Sequence, residues 1–186
     1  MQQDRPDIHL SALRASDVPL MLAWRNDPEI ARMVVSPIRF VSLETETEWN
    51  ARARTEHEQG RTLRLGIRTI GDDRLVGVLL FTHVDHVNQN ARTGIMIGDR
   101  ALWGKGLAKQ AYAIALPYAF NELNLHSLRS YVLSYNQASQ GLYRSLGFVH
   151  EGTQRAAIYK GGRYVDLEMF SLLRPDHRAS DTTGTK

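Results

Sequence analysis

Apolar and polar residues alternate through Ile8-His9-Leu10-Ser11-Ala12-Leu13, the period of a strand with one buried face. The pattern then changes. Asp17–Arg25 carries Val18, Leu20, Met21, Leu22 and Trp24 at helical spacing, with Ser16 placed to cap the helix. A break follows at Asn26-Asp27-Pro28, where Asp27 can cap and Pro28 can open a further turn. Ser42 precedes an acidic first turn of Glu44, Glu46 and Glu48, which complements a helix dipole, and that pattern runs to Gly60. Two strand-like runs, Leu63–Ile70 and Leu75–Val84, flank Gly71-Asp72-Asp73 and predict a hairpin. A third strand, Ala91–Gly98, follows the turn His86–Asn90.

Beyond Trp103-Gly104-Lys105-Gly106-Leu107-Ala108 a helical pattern resumes, with Leu107, Ala111, Ile114 and Tyr118 on one face. Pro117 should kink it, because the ring removes a donor and clashes with the preceding turn. Leu125–Ser134 contains an alternating strand, Asn136 can cap a short helix ending at Gly147, and Phe148–Lys160 with Arg163–Leu173 reads as a hairpin around Gly161-Gly162. The order β-α-α-β-β-β-α-β-α-β-β is a mixed α/β (α+β) pattern with consecutive central strands, which is not a doubly wound dinucleotide fold. One domain is expected over residues 8–173, with flexible tails at 1–7 and 174–186.

Composition narrows the chemistry. The chain has 186 residues, 42% hydrophobic and 23% charged, the make-up of one globular domain. It has no cysteine, so thiolate catalysis, disulfides and Cys-based metal sites are excluded. The seven histidines form no helical i, i+4 ligand pair, and no metal is expected. No apolar run approaches the roughly 20 residues of a membrane span, and the first residues lack a secretory signal, so a cytoplasmic location is expected. Lys+Arg 23 against Asp+Glu 20 gives a net charge of +3, which suits phosphate-bearing ligands. It forms no dense basic stripe, and direct nucleic-acid binding is not expected.

The sharpest local signal is the glycine turn. A strand ending near Gly98, a loop holding Gly104 and Gly106, and a helix starting beside them gather unpaired N–H groups, with Arg100, Lys105 and Lys109 nearby. A phosphate or pyrophosphate is the natural guest. Neither the P-loop nor the dinucleotide fingerprint is present. Here the chain resembles the GNAT superfamily of acyl-CoA-dependent N-acyltransferases, whose pyrophosphate loop reads Gln or Arg, two residues, Gly, one residue, then Gly or Ala. Gly106 and Ala108 match, whereas Trp103 departs from the first position as it does in the branch of ribosomal-protein N-terminal acetyltransferases. Asn136, Ser139, Leu142, Tyr143 and Leu146-Gly147-Phe148 are similar to that superfamily's downstream segment, and Glu151-Gly152 and Tyr164-x-Asp166 to this branch.

The resemblance implies a mixed, mostly antiparallel sheet splayed between its fourth and fifth strands and flanked by helices. It further implies acetyl-CoA as co-substrate, held by Trp103, Gly104, Lys105, Gly106, Leu107 and Ala108, with Ile95, Met96 and Ile97 along the thioester. Asn136, Ser139 and Tyr143 complete that site; Ser139 and Tyr143, four apart on one helix, are its catalytic candidates, with Tyr143 the acid that protonates the leaving thiolate. Read without the resemblance, Tyr143 is a packing tyrosine and Asn136 a plain cap.

The general base is open: relatives often carry Glu two before Gly94, and Arg92 stands there. His83, Asp85, His86 and Glu151 are alternatives. With no strong base, a peptide α-amine, roughly a fifth to a third neutral at pH 7.4, is a better acceptor than a lysine-type amine, about a thousandth neutral. Trp24 and Arg25, with His83 and Asp85, are the acceptor-binding candidates, against a buried Trp24 beside a helix break. The expectation is direct transfer of acetyl to a protein or peptide N-terminal amine. A nucleotide-linked amino sugar, a polyamine, an antibiotic amine and a non-catalytic acyl-CoA-binding role are the alternatives, and a homodimer is the prior for assembly.

Overall fold

The computed structural model describes residues 7–37 and 39–177. The elements in chain order are β1 (Ile8–Ala12), α1 (Val18–Asn26), α2 (Pro28–Met33), α3 (Leu43–Glu58), β2 (Leu63–Thr69), β3 (Leu75–Asp85) and β4 (Asn90–Ile97). They are followed by α4 (Leu107–Pro117), β5 (Ser127–Leu133), α5 (Gln137–Ser145), β6 (Val149–Lys160) and β7 (Arg163–Leu173). Among the described residues seven strands make one sheet in the order β1-β2-β3-β4-β5-β7-β6. Every neighbouring pair is antiparallel except β4 and β5.

That pair is the distinctive feature. β4 and β5 are in register only at Asn90 with Ser127, Ala91 with Leu128 and Arg92 with Arg129. Beyond Arg92 and Arg129 the two strands diverge, so the sheet splits and the edge of β4 facing β5 has no strand partner over residues 93–97. The expected splay is present.

Each face of the sheet has its own apolar cover. On one, α4 and α5 bury Ala111, Tyr112, Ala115 and Tyr143 against Ile67, Leu79, Phe81, Ala91 and Phe170. On the other, Met21 and Trp24 of α1 and Ile30 of α2 pack on Leu75 and Val78, while Leu133, Val165 and Leu167 form a separate cluster across the split. The alternation along β4 follows: Ala91 and Ile95 belong to the α4 side, and Met96 to the α1 side.

Several local expectations need correction. Ser16 lies inside a single 3-10 turn, and the polar group at the head of α1 is Asp17, whose buried carboxylate accepts from the Arg14 amide at 2.7 Å and from Arg68 at 2.5 Å. On α4, Ile114 and Tyr118 are exposed, and the buried arc runs through Leu107, Ala111, Tyr112, Ala115 and Leu116. Alanines sit at its centre because a small side chain lets the helix lie close on the sheet, whereas the larger residues mark its edge. The irregularity expected at Pro117 is present: the α-helix ends there and the path continues as a π turn over Tyr118–Glu122. The chain does not become a tail at residue 174: residues 174–177 form a helical turn, and Arg174 donates to the Leu125 carbonyl at 2.9 Å. Residues 1–6 and 178–186 of the expected tails lie outside the described residues.

One buried charge fixes α1 to α3. Glu46 has no exposed surface, and its carboxylate takes two hydrogen bonds from Arg25, at 2.5 and 3.2 Å. The Arg25 guanidinium also lies 4.8 Å from the centre of the Trp49 ring. Glu46→Ala should therefore lower stability by about 2 kcal/mol in urea unfolding, since the substitution removes a charge-assisted pair. A wild-type midpoint would contradict this.

Candidate active site

The split and the loop after β4 make one continuous site. At its mouth, the Trp103 indole donates to the Ile97 carbonyl at 2.7 Å, which pins the loop to the strand end. Gly104 and Gly106 adopt φ of 73° and 78°, in the left-handed region that side-chain-bearing residues avoid. Gly106 is the N-cap of α4 and no side chain caps that end. The first amides of α4 are thereby left for an anion, with Lys105 exposed beside them. Leu107 is buried and anchors the turn, and Ala108 is half-buried. Inside the split, Ile95, Met96 and Ile97 offer the unpartnered edge of β4. The residues present fit an extended ligand with a pyrophosphate at one end.

At the apex, where pairing stops, four hydroxyl residues meet. The Tyr143 oxygen is 3.0 Å from that of Tyr112, which is 3.0 Å from Thr93 Oγ1, and Thr93 donates to the Leu80 carbonyl at 3.0 Å. The hydroxyl of Ser130, on β5, favours ionisation of Tyr143, but burial outweighs it and pushes the phenol above its ordinary value. Tyr112 is pushed up further by its own burial. Both are neutral at physiological pH. Ser139 lies one turn before Tyr143, half-buried, its amide held by Asn136 at 3.1 Å.

Asn136 uses both ends of its amide: Oδ1 accepts from the Ser139 amide, and Nδ2 donates to the Met33 carbonyl at 3.0 Å. The second contact is part of a larger fastening. Tyr135 donates to the Arg32 carbonyl at 2.5 Å, and Lys160 Nζ donates to the carbonyls of Val34 and Ser36, each at 2.7 Å. A helix of six residues leaves most of its carbonyls without internal partners, and here side chains from the other half of the sheet supply donors. Val35 packs with Leu133, Val165 and Leu167. The segment after α2 thus crosses the split on the α1 face.

The acceptor candidates are scattered. Trp24 is buried with its ring against Gly98, where an added Cβ would come within 2.0 Å of the ring. Arg25 is engaged by Glu46. His83 and Asp85 sit at the end of β3 that pairs with Asn90, the closed end of the split, and Asp85 caps the turn through the amides of Val87 and Asn88 at 2.9 Å. His86 contacts the Gly60 carbonyl, and Glu151 accepts from Ser171. Arg92 stands on the α1 face at the apex, 5.0 Å from the Tyr131 ring, with Arg129 beside it in register.

Sequence reasoning missed Thr93, Tyr112, Ser130, Tyr135 and Lys160. Tyr112 carried a usable signal, since a tyrosine within a buried helical stripe needs a partner for its hydroxyl. Among the described residues no three His, Cys, Asp or Glu side chains converge as a metal site, and no helix is long and apolar enough to cross a membrane.

Comparison with known proteins bears on this arrangement. The acetyltransferase (GNAT) domain family matches residues 7–149. A probable N-acetyltransferase of Bacillus subtilis, YjcK, is 34% identical over 131 residues, 70% of each chain. Among solved structures, spermidine N-acetyltransferase from Vibrio cholerae, in complex with CoA and spermine, superposes with a TM-score of 0.82 at 23% identity, covering 92% of this chain and 98% of that one. RimL, a ribosomal L7/L12 α-N-protein acetyltransferase in complex with coenzyme A, gives 0.81 at 23% identity, with 89% and 93% covered.

Lys160→Met should free the segment after α2. The expected result is faster hydrogen exchange over residues 33–36 and a stability loss of about 1–2 kcal/mol. Unchanged exchange there would contradict the fastening.

Proposed function

The chain belongs to the GNAT acetyltransferase family, and on that premise we propose that it transfers acetyl from acetyl-CoA to the N-terminal α-amine of a peptide or protein. The amides at the head of α4, with Gly104 and Gly106, would hold the pyrophosphate, and the free edge of β4 over Ile95–Ile97 would bind the pantetheine arm and the thioester carbonyl. With no cysteine in the chain, the acceptor amine attacks the thioester directly. Tyr143, neutral and at the apex, is the group that protonates the departing thiolate. Trp103 positions the loop, and Ser139 and Asn136 position the helix that carries Tyr143.

The observation that carries the acceptor choice is the charge on the α1 face of the split. Arg92 is exposed at the apex with Arg129 beside it in register, and four nearby carboxylates have partners. Glu46 is taken by Arg25, Glu29 pairs with Arg32 at 3.3 Å, Asp27 caps α2, and Asp166 accepts from the Ala156 amide at 2.7 Å. A polyamine carries several positive charges and needs open carboxylates, whereas a peptide α-amine is partly neutral near pH 7.4 and tolerates a cationic wall. No base stronger than water is then required. The likeness to a spermidine acetyltransferase keeps a polyamine as the competing outcome. We place the reaction in the cytoplasm.

Thiol release from acetyl-CoA should be selective for peptides with a free N-terminus over spermidine, a lysine side chain and amino sugars. Preference for spermidine would overturn the acceptor assignment. In the same assay Tyr143→Phe should lose roughly 100-fold or more in kcat, with acetyl-CoA affinity little changed. Gly106→Val should do the reverse to binding: it strains the turn and weakens acetyl-CoA at least about tenfold by isothermal titration.

A further inference from the structure

The hydroxyl chain at the apex has a direction. A carbonyl only accepts, so the hydrogen of Thr93 is committed to Leu80. The Thr93 oxygen must then accept from Tyr112, which commits the Tyr112 hydrogen. The Tyr112 oxygen is left to accept from Tyr143. In the resting site the Tyr143 hydrogen therefore points into the core, away from the place where a thiolate would form. Tyr112 has no exposed surface and stands edge-on to the Tyr143 ring, with centroids 5.8 Å apart.

We propose that Tyr112 is a positioning residue for acetyl transfer, holding the Tyr143 hydroxyl in the resting site and turning its own hydrogen onto the Tyr143 oxygen as that oxygen gives up its proton. The inference rests on the acyl-transfer reading above. As the amine nitrogen bonds to the acetyl carbon, the carbon–sulfur bond breaks and its electron pair stays on sulfur. The Tyr143 O–H bond breaks and an S–H bond forms. The proton shed by the amine nitrogen restores the phenol.

The reason such help is needed is local. The walls around Tyr143 are Tyr112 from α4, Phe170 from β7 and Phe148 before β6, with ring centroids at 5.8, 6.0 and 5.0 Å. A phenolate among these rings is poorly solvated, and burial already opposes ionisation of Tyr143. Two hydroxyls within reach, those of Tyr112 and Ser130, are the groups that can donate to it. Arg144 and His150 approach the Phe170 ring instead.

Tyr112→Phe keeps the ring and removes only the hydroxyl. Single-turnover acetyl transfer should slow roughly 10- to 100-fold in this variant, while the acetyl-CoA dissociation constant and the acceptor KM stay within about twofold of wild type. A wild-type rate would overturn the proposal. So would a slower rate matched by an equal loss of acetyl-CoA affinity, because that marks a structural role. Tyr143→Phe, run alongside, separates this inference from the reading beneath it. If Tyr143→Phe is slow and Tyr112→Phe is not, the positioning role alone falls. If Tyr143→Phe transfers acetyl as fast as wild type, the acid assignment falls and the positioning role with it.

Discussion

Two parallel strands that pair for three residues and then part create a problem which the rest of this molecule answers. β4 and β5 cannot simply drift apart, because every backbone group left unpaired inside a protein costs free energy unless it finds another partner. At the apex side-chain hydroxyls gather beside the parting strands, Thr93 from one strand and Ser130 from the other, with Tyr112 and Tyr143 brought over them by two helices. Further out the edge of β4 stays free. A free strand edge is usually a liability, but inside a cleft it is a row of donors and acceptors available to an extended substrate.

The two faces of the split are closed by different physics. On the α4 side the cover is apolar and close-packed, built from alanines and aromatic rings with little exposed surface. On the α1 side hydrogen bonds to backbone carbonyls join the apolar clusters. The segment after α2 reaches across the gap, its carbonyls held by Tyr135, Asn136 and Lys160, and among the described residues Val35 adds an apolar contact. Hydrogen bonds to backbone carbonyls hold a chain in place with less cohesive burial than a packed core, so this side is the softer of the two. Asn136 joins them, since the same amide that fastens the segment also caps the helix carrying Tyr143.

Much of the fold was legible because its determinants are local. The Asp27-Pro28 break, the helix start after Ser42, the Asn136 cap and the Gly161-Gly162 hairpin are each a few residues long, and each was found where the sequence placed it. The glycine turn belongs to the same class: strand end, two glycines and an uncapped helix lie within a short stretch of chain. On α4 the pattern places Leu107 and Ala111 correctly, but Ile114 and Tyr118 give way to Tyr112, Ala115 and Leu116, because alanines set how near a helix can approach a sheet. Ser16 was misread because a hydroxyl near a helix start resembles a cap, whereas Asp17 had a buried arginine to satisfy.

The α1 side of the split resisted for a different reason. Its wall depends on partners far apart in the chain: Tyr135 with Arg32 are separated by 103 residues, and Lys160 with Val34 by 126. Nothing in the immediate surroundings of a lysine at the end of a strand announces that it will lie 6% exposed beneath a distant segment. The same holds for Arg25, whose charge looks available in sequence and is spent on Glu46 in the fold. The glycine turn, by contrast, is built from backbone and glycine within one short stretch of chain. Which charges remain unpaired is decided only once these long-range pairs have formed.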